Sequence, residues 1–277
     1  MKSLLTKTVY SILFLFVGLV VFFVNMTFKP MIQPPILLIL QLSITALLAL
    51  LCFIFKKKGQ VAYRDLAFAF LSASIALTAV SFFSIEKLGV AINTPHGIAL
   101  AKFSDSAIIV AVIVFLFRVS KYGFDSIYIA KGKLVLGMII GLITFTGMVM
   151  LGPTKPGNEH CFGVLITYLP WVMLFVFPNA IMEELLFRGI FLKKMAPLIG
   201  APLAILVTSI IFALAHMQVT YQDPSQIIGF VTIVFIFGIL WGSTMYKTDS
   251  LIAPVLFHAG ADVFIMIDVF KSFGAVK

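Results

Sequence analysis

Charge is what this chain has least of. Only 11% of its 277 residues are Asp, Glu, Lys or Arg, and 61% are hydrophobic, with a mean hydropathy of +1.14. Soluble globular chains are roughly 45–50% apolar and about 25% charged. A surface this poor in charge excludes a water-soluble globule, and no polar stretch is long enough to build a soluble domain. Cysteine is scarce as well: Cys52 and Cys161 are too few for a disulfide framework, and both read as packing residues. Low-complexity segments and the inverted half-repeats of transporters are also missing. No small-residue cleavage site follows the first apolar run, from about Tyr10 to Phe28, so the expectation is a retained first helix rather than a cleaved signal.

What remains is a succession of apolar runs. A helix crosses the hydrocarbon with about 20 apolar residues. Runs of that kind fall at 8–28, 34–55, 66–85, 103–120, 132–152, 161–195, 203–217, 226–246 and 251–270. The 161–195 run exceeds one simple crossing and contains Pro170 and Pro178, which predicts a kink or a break. The fold class expected is therefore all-α, a polytopic transmembrane bundle of eight or nine spans. It divides into an N-terminal set of about five spans over 1–155 and a core over 156–277. Gly137 with Gly141, and Gly238 with Gly242, provide small-residue spacings for close helix packing.

The net charge of +9 would suggest nucleic acid in a soluble protein; here the basic residues sit in short gaps between runs and set orientation instead. With the N-terminus in the cytoplasm, Lys2, Lys7, Lys56, Lys57, Lys58, Arg64, Arg118, Lys121, Lys131, Lys133, Lys193, Lys194 and Lys247 face inward. Lys29, Lys87, Lys102 and Lys155 face outward, and Lys271 and Lys277 are ambiguous. His96 and His160 fall in outer loops, where they are expected to be solvated.

Ionisable residues inside a span are costly, and so informative. They gather in the second half of the chain, in three clusters: Glu183, Glu184 and Arg188; Phe212 and His216; His258 and Asp262. On a helix, Glu184 and Arg188 are four apart and share a face, so they can pair. Glu183 is rotated from them by about 100° and has no basic partner in its own helix. Its available partners are His216 and His258. Asp262, four residues past His258, can reach that imidazole and fix its tautomer. Helical rise places Glu183 about 16 Å from Lys194, His216 about 20 Å from Pro202 and His258 about 10 Å from Leu251, all measured from the cytoplasmic side. Each group alone is explained by packing: Phe212 as a core residue, Pro254 as a helix-start residue, the Glu–Arg pair as a buried ion pair. A purely structural bundle has no need of all of them at matched depth.

These clusters resemble the CAAX protease and bacteriocin-processing (Abi) family of intramembrane proteases, whose signature is EExxxR, FxxxH and then HxxxN or HxxxD. The matching residues are Glu183, Glu184 and Arg188; Phe212 and His216; His258 and Asp262, and the resemblance covers about 161–270. It implies an endopeptidase acting on a membrane-associated protein or peptide, with prenylated CAAX tails trimmed by the eukaryotic members. It also implies that Glu183 activates water with His216, and that His258 and the third-motif residue stabilise the tetrahedral oxyanion, with Phe212 lining the substrate site. Members are described both as metalloproteases and as glutamate-dependent proteases. Asp262 stands where eukaryotic members have Asn, and an ionised Asp cannot donate to an oxyanion. Either Asp262 is protonated, or it only orients His258, or the site holds a divalent metal such as zinc on Glu183, His216 and His258. HExxH is absent, so a soluble zincin arrangement is excluded. The competing functions are a proton-coupled transporter and a non-catalytic membrane scaffold or immunity factor.

Overall fold

The computed structural model describes residues 3–27, 31–151, 161–217 and 223–273. Among the described residues the ordered structure is helical throughout: α1 (Leu4–Phe22), α2 (Pro34–Lys57), α3 (Val61–Phe83), α4 (Pro95–Val119), α5 (Leu134–Leu151), α6 (Cys161–Thr167), α7 (Leu169–Glu184), α8 (Leu192–Ile199), α9 (Ala201–Ala215), α10 (Pro224–Thr248) and α11 (Ile252–Ser272). Eight helical stretches are long and apolar enough to cross a membrane, and α9 is a shorter apolar helix. The protein is a polytopic transmembrane helical bundle. In lipid every backbone polar group must be satisfied within the segment, which leaves helices as the available solution for such runs.

Sequence punctuation sets the helix starts. Proline occupies the first or second position of α2, α4, α7, α9 and α10, where its missing N–H costs nothing. Asp223 caps α10 by accepting from the N–H groups of Ser225 and Gln226, and Thr94 caps α4 by accepting from Gly97. The Thr94 cap corrects one expected boundary: the helix expected from 103 begins at Pro95. Lys102 therefore lies on a transmembrane helix, half-buried, rather than in an outer loop. His96 is exposed as expected, but in the first turn of α4, with its ring edge-on to Trp171 at 4.6 Å. His160, Lys29, Lys155 and Lys277 lie outside the described residues, as do the side chains of Lys87, Cys161 and Lys271.

The overlong 161–195 run resolves into α6, a break at Tyr168 just before Pro170, α7, a π-helical turn over Leu185–Gly189, and α8. Pro178 is accommodated inside α7. A π turn holds one more residue than an α turn, and it re-aims the chain that enters α8. Gly200, at φ +91°, then reverses the chain into α9.

The core site is framed by α7 against α4 and α11, α9 against α10 and α1, and α11 against α5. Small residues permit the closest of these approaches. A Cβ on Gly141 would lie 2.6 Å from the Leu256 side chain, and one on Gly260 would lie 2.8 Å from the Phe145 backbone. The basic residues gather at one end. Lys193 pairs with Asp249 at 2.6 Å and donates to the Asp125 carbonyl, while Lys194 donates to the Ser126 carbonyl. Just inside that end, Tyr122 donates to Asp65 at 2.6 Å, and burial together with this carboxylate raises its phenol well above the ordinary value.

Candidate active site

The three sequence clusters meet at one place. Glu183 and Glu184 end α7, Arg188 lies in the π turn, His216 caps the C-terminus of α9, and His258 and Asp262 lie one turn apart on α11. All six are buried. Arg188, wholly inaccessible, donates to Glu184 Oε1 at 2.8 Å. Its guanidinium lies 4.3 Å from the centre of the Phe212 ring and 5.4 Å from that of Trp241, a cage that suits a delocalised cation.

The same Glu184 oxygen accepts from His258 Nδ1 at 2.8 Å. A carboxylate only accepts, so Nδ1 carries the proton and Nε2 faces the interior of the site. Helix spacing alone gives Glu184 to Arg188 and the orientation of His258 to Asp262. In the folded chain Glu184 makes the hydrogen bond to His258, and Asp262 Oδ1 stands 3.5 Å from His258 Nε2. Trp241 stacks flat on the His258 ring at 3.8 Å and fixes its plane. On the other side, His216 Nδ1 meets the Phe212 carbonyl at 2.7 Å, which again leaves Nε2 pointing inward. Phe212 is buried between Arg188 and the His216 ring, whose centroid is 4.4 Å away.

Both Nε2 atoms converge on Glu183 Oε2, from 3.7 Å for His216 and 3.5 Å for His258. These separations exceed a hydrogen bond. A carboxylate facing two imidazole nitrogens calls for a proton donor among them. Two His and one carboxylate are metal ligands in kind. Among the described residues, however, no group of three His, Cys, Asp or Glu is arranged to hold a metal ion.

Two residues at the site are not marked by the three clusters. Asn179, one turn before Glu183 on α7, donates from Nδ2 to Asp262 Oδ2 at 2.9 Å. Lys102 of α4 donates to Asn179 Oδ1 at 3.2 Å. Asn179 was detectable as a polar residue four positions from Glu183 in an apolar run, and so on the same helix face. Lys102 was detectable only through the Thr94–Pro95 helix start.

Residues 165–264 match the type II CAAX prenyl endopeptidase Rce1-like family. That segment is a little over a third of the chain and contains all three clusters, while the helices before it lie outside the match. The Rce1-like segment agrees with the CAAX protease resemblance of the sequence and indicates an intramembrane protease in general terms. No curated protein and no solved structure matches the chain.

Proposed function

We propose that this protein is an intramembrane endopeptidase that hydrolyses a peptide bond of a membrane-associated protein or peptide, either a CAAX-type prenylated tail or a bacteriocin-like peptide, by glutamate-activated water. The convergence of two oriented imidazole Nε2 atoms on Glu183 Oε2 is the observation that supports it most directly. Glu183 accepts a proton from water, and the water oxygen bonds to the scissile carbonyl carbon. The carbonyl π pair moves onto its oxygen as an oxyanion, on the His258 side of the site. When that pair re-forms the C=O bond, the C–N bond breaks, and the proton held by Glu183 passes to the departing amine. The products are one carboxylic acid and one amine, which then share a proton as a carboxylate and an ammonium. His216 orients the water, and Glu184, held by Arg188, orients His258. Phe212 forms the wall between His216 and Arg188. The catalytic unit is read as 156–277, packed against five preceding spans. Its basic end faces the cytoplasm, which makes the substrate bond accessible from that half of the bilayer.

The test is the Glu183→Gln variant, which preserves size and removes the base. Purified in detergent, it should melt as the wild type does and cleave neither a farnesylated CAAX-type peptide nor any protein that accumulates uncut in Glu183→Ala cells. Full activity of Glu183→Gln would overturn the assignment of the base. A protein profile identical in wild-type and Glu183→Ala cells would overturn the protease reading itself.

A further inference from the structure

An oxyanion needs a hydrogen-bond donor, and Asp262 as a carboxylate offers none. A side-chain amide lies on the neighbouring helix, against Asp262. Asn179 and Asp262 are both buried, and their contact joins α7 to α11 across the site. The direction of that contact is fixed from outside. The Lys102 ammonium can only donate, so the Asn179 carbonyl oxygen must face it, and the Asn179 NH₂ must face Asp262. One amide hydrogen is used on Asp262 Oδ2. The second belongs to a nitrogen one helical turn from the base Glu183, beside a carboxylate that lies 3.5 Å from His258 Nε2. Lys102 adds a positive charge on the carbonyl side of this amide, which polarises its N–H groups.

We propose that Asn179 is a catalytic residue, the amide donor to the oxyanion, and that Lys102 is a positioning residue that sets the orientation of this amide. Asp262 is then the acceptor that aims the amide rather than a donor in its own right. The proposal rests on the proteolytic reading and adds to it a residue outside the three motifs and a cation from a helix outside the family match.

The experiment uses the full chain in detergent and a quenched-fluorescence farnesylated CAAX-type peptide. Asn179→Ala should lower kcat by about 100-fold or more, the usual loss for one oxyanion donor, with KM within about threefold of wild type. Asn179→Asp sets two carboxylates against each other and should lose at least as much. The exchange Asn179→Asp with Asp262→Asn returns one amide and one carboxylate to the same contact, and should recover kcat to within about tenfold of wild type. Lys102→Met should lower kcat with KM unchanged, and Lys102→Arg should restore it. A merely structural Asn179 would move the melting temperature and leave kcat in the folded fraction intact. Wild-type kcat in Asn179→Ala, or a folded exchange variant as inactive as Asn179→Asp, would overturn the proposal while leaving the protease reading standing. If Asn179→Ala does not fold, the exchange variant and Lys102→Met decide the matter by the same readouts. A wild-type protein that cleaves neither this peptide nor any protein accumulating in Glu183→Ala cells overturns the protease reading, and this inference with it.

Discussion

Replacing Arg188 with Met leaves a shorter, unbranched apolar side chain and removes the charge, so it tests what the buried cation contributes. In the wild type the guanidinium is fully buried, bonds Glu184 at 2.8 Å, reaches the Gly238 carbonyl at 3.4 Å and lies against the Phe212 and Trp241 rings. In Arg188→Met, Glu184 keeps its bond to His258 Nδ1 and loses the cation, and its other oxygen, Oε2, is buried without a hydrogen bond even in the wild type. Removing one partner from a buried ion pair costs about 3–5 kcal/mol, because the remaining charge stays uncompensated. At about 2–4 °C per kcal/mol for chains of 150–250 residues, that corresponds to a drop of about 10 °C in melting temperature. The double variant Glu184→Gln with Arg188→Met removes both charges and keeps an acceptor for His258, so it should recover more than half of the loss. Thermal melts followed by circular dichroism in one detergent compare the three proteins. An Arg188→Met protein that melts within about 2 °C of wild type, less than 1 kcal/mol on that scale, would refute the reasoning. So would a double variant less stable than the single one.

Glu183→Gln, in contrast to Arg188→Met, should keep the wild-type melt and lose activity, separating base from scaffold. If the basic end faces the cytoplasm, single cysteines at the exposed positions Lys58 and Lys121, in a background lacking Cys52 and Cys161, should react with an impermeant thiol reagent in inside-out vesicles; reaction confined to right-side-out vesicles would reverse the topology. Gly141→Ala should destabilise the bundle by about 1–3 kcal/mol through its clash with Leu256, while Gly147→Ala, with nothing within 4 Å, should be neutral in the same melt. Chelation should leave peptide cleavage unchanged; stoichiometric zinc in purified wild type, lost in both His216→Ala and His258→Ala, would overturn the glutamate mechanism.

The bundle and the three clusters were legible because each depends on local spacing: apolar runs of membrane length, and acid, base and imidazole at four-residue intervals. The pairing of Glu184 with Arg188 needed nothing beyond helix periodicity. The bond from His258 to Glu184 was not legible, because it joins helices 74 residues apart, and which carboxylate an imidazole meets depends on helix rotation. Asp262 does reach the ring, with Oδ1 3.5 Å from Nε2, as the four-residue spacing predicts, but the hydrogen bond of Nδ1 goes to another helix, which spacing does not show. Lys102 was hidden for a different reason. Counting apolar residues delayed the start of α4 to 103, although the Thr94 cap and Pro95 mark it earlier. The π turn is likewise silent in a sequence window, because Leu185–Gly189 has ordinary helical composition apart from its glycine.

The chain has two tryptophans, and each lies against a histidine: Trp171 meets the exposed His96 edge-on, and Trp241 lies flat on His258. Indole emission is quenched by a neighbouring imidazolium more strongly than by a neutral imidazole. The protein therefore contains an optical probe of its own proposed active site, with Trp171 as a second emitter whose quencher is in the first turn of a different helix. In a Trp171→Phe background, emission comes from Trp241 alone. Protonation of His258, or a peptide entering beside it, then becomes a change in light intensity that can be followed in a stopped-flow instrument before any bond is cut.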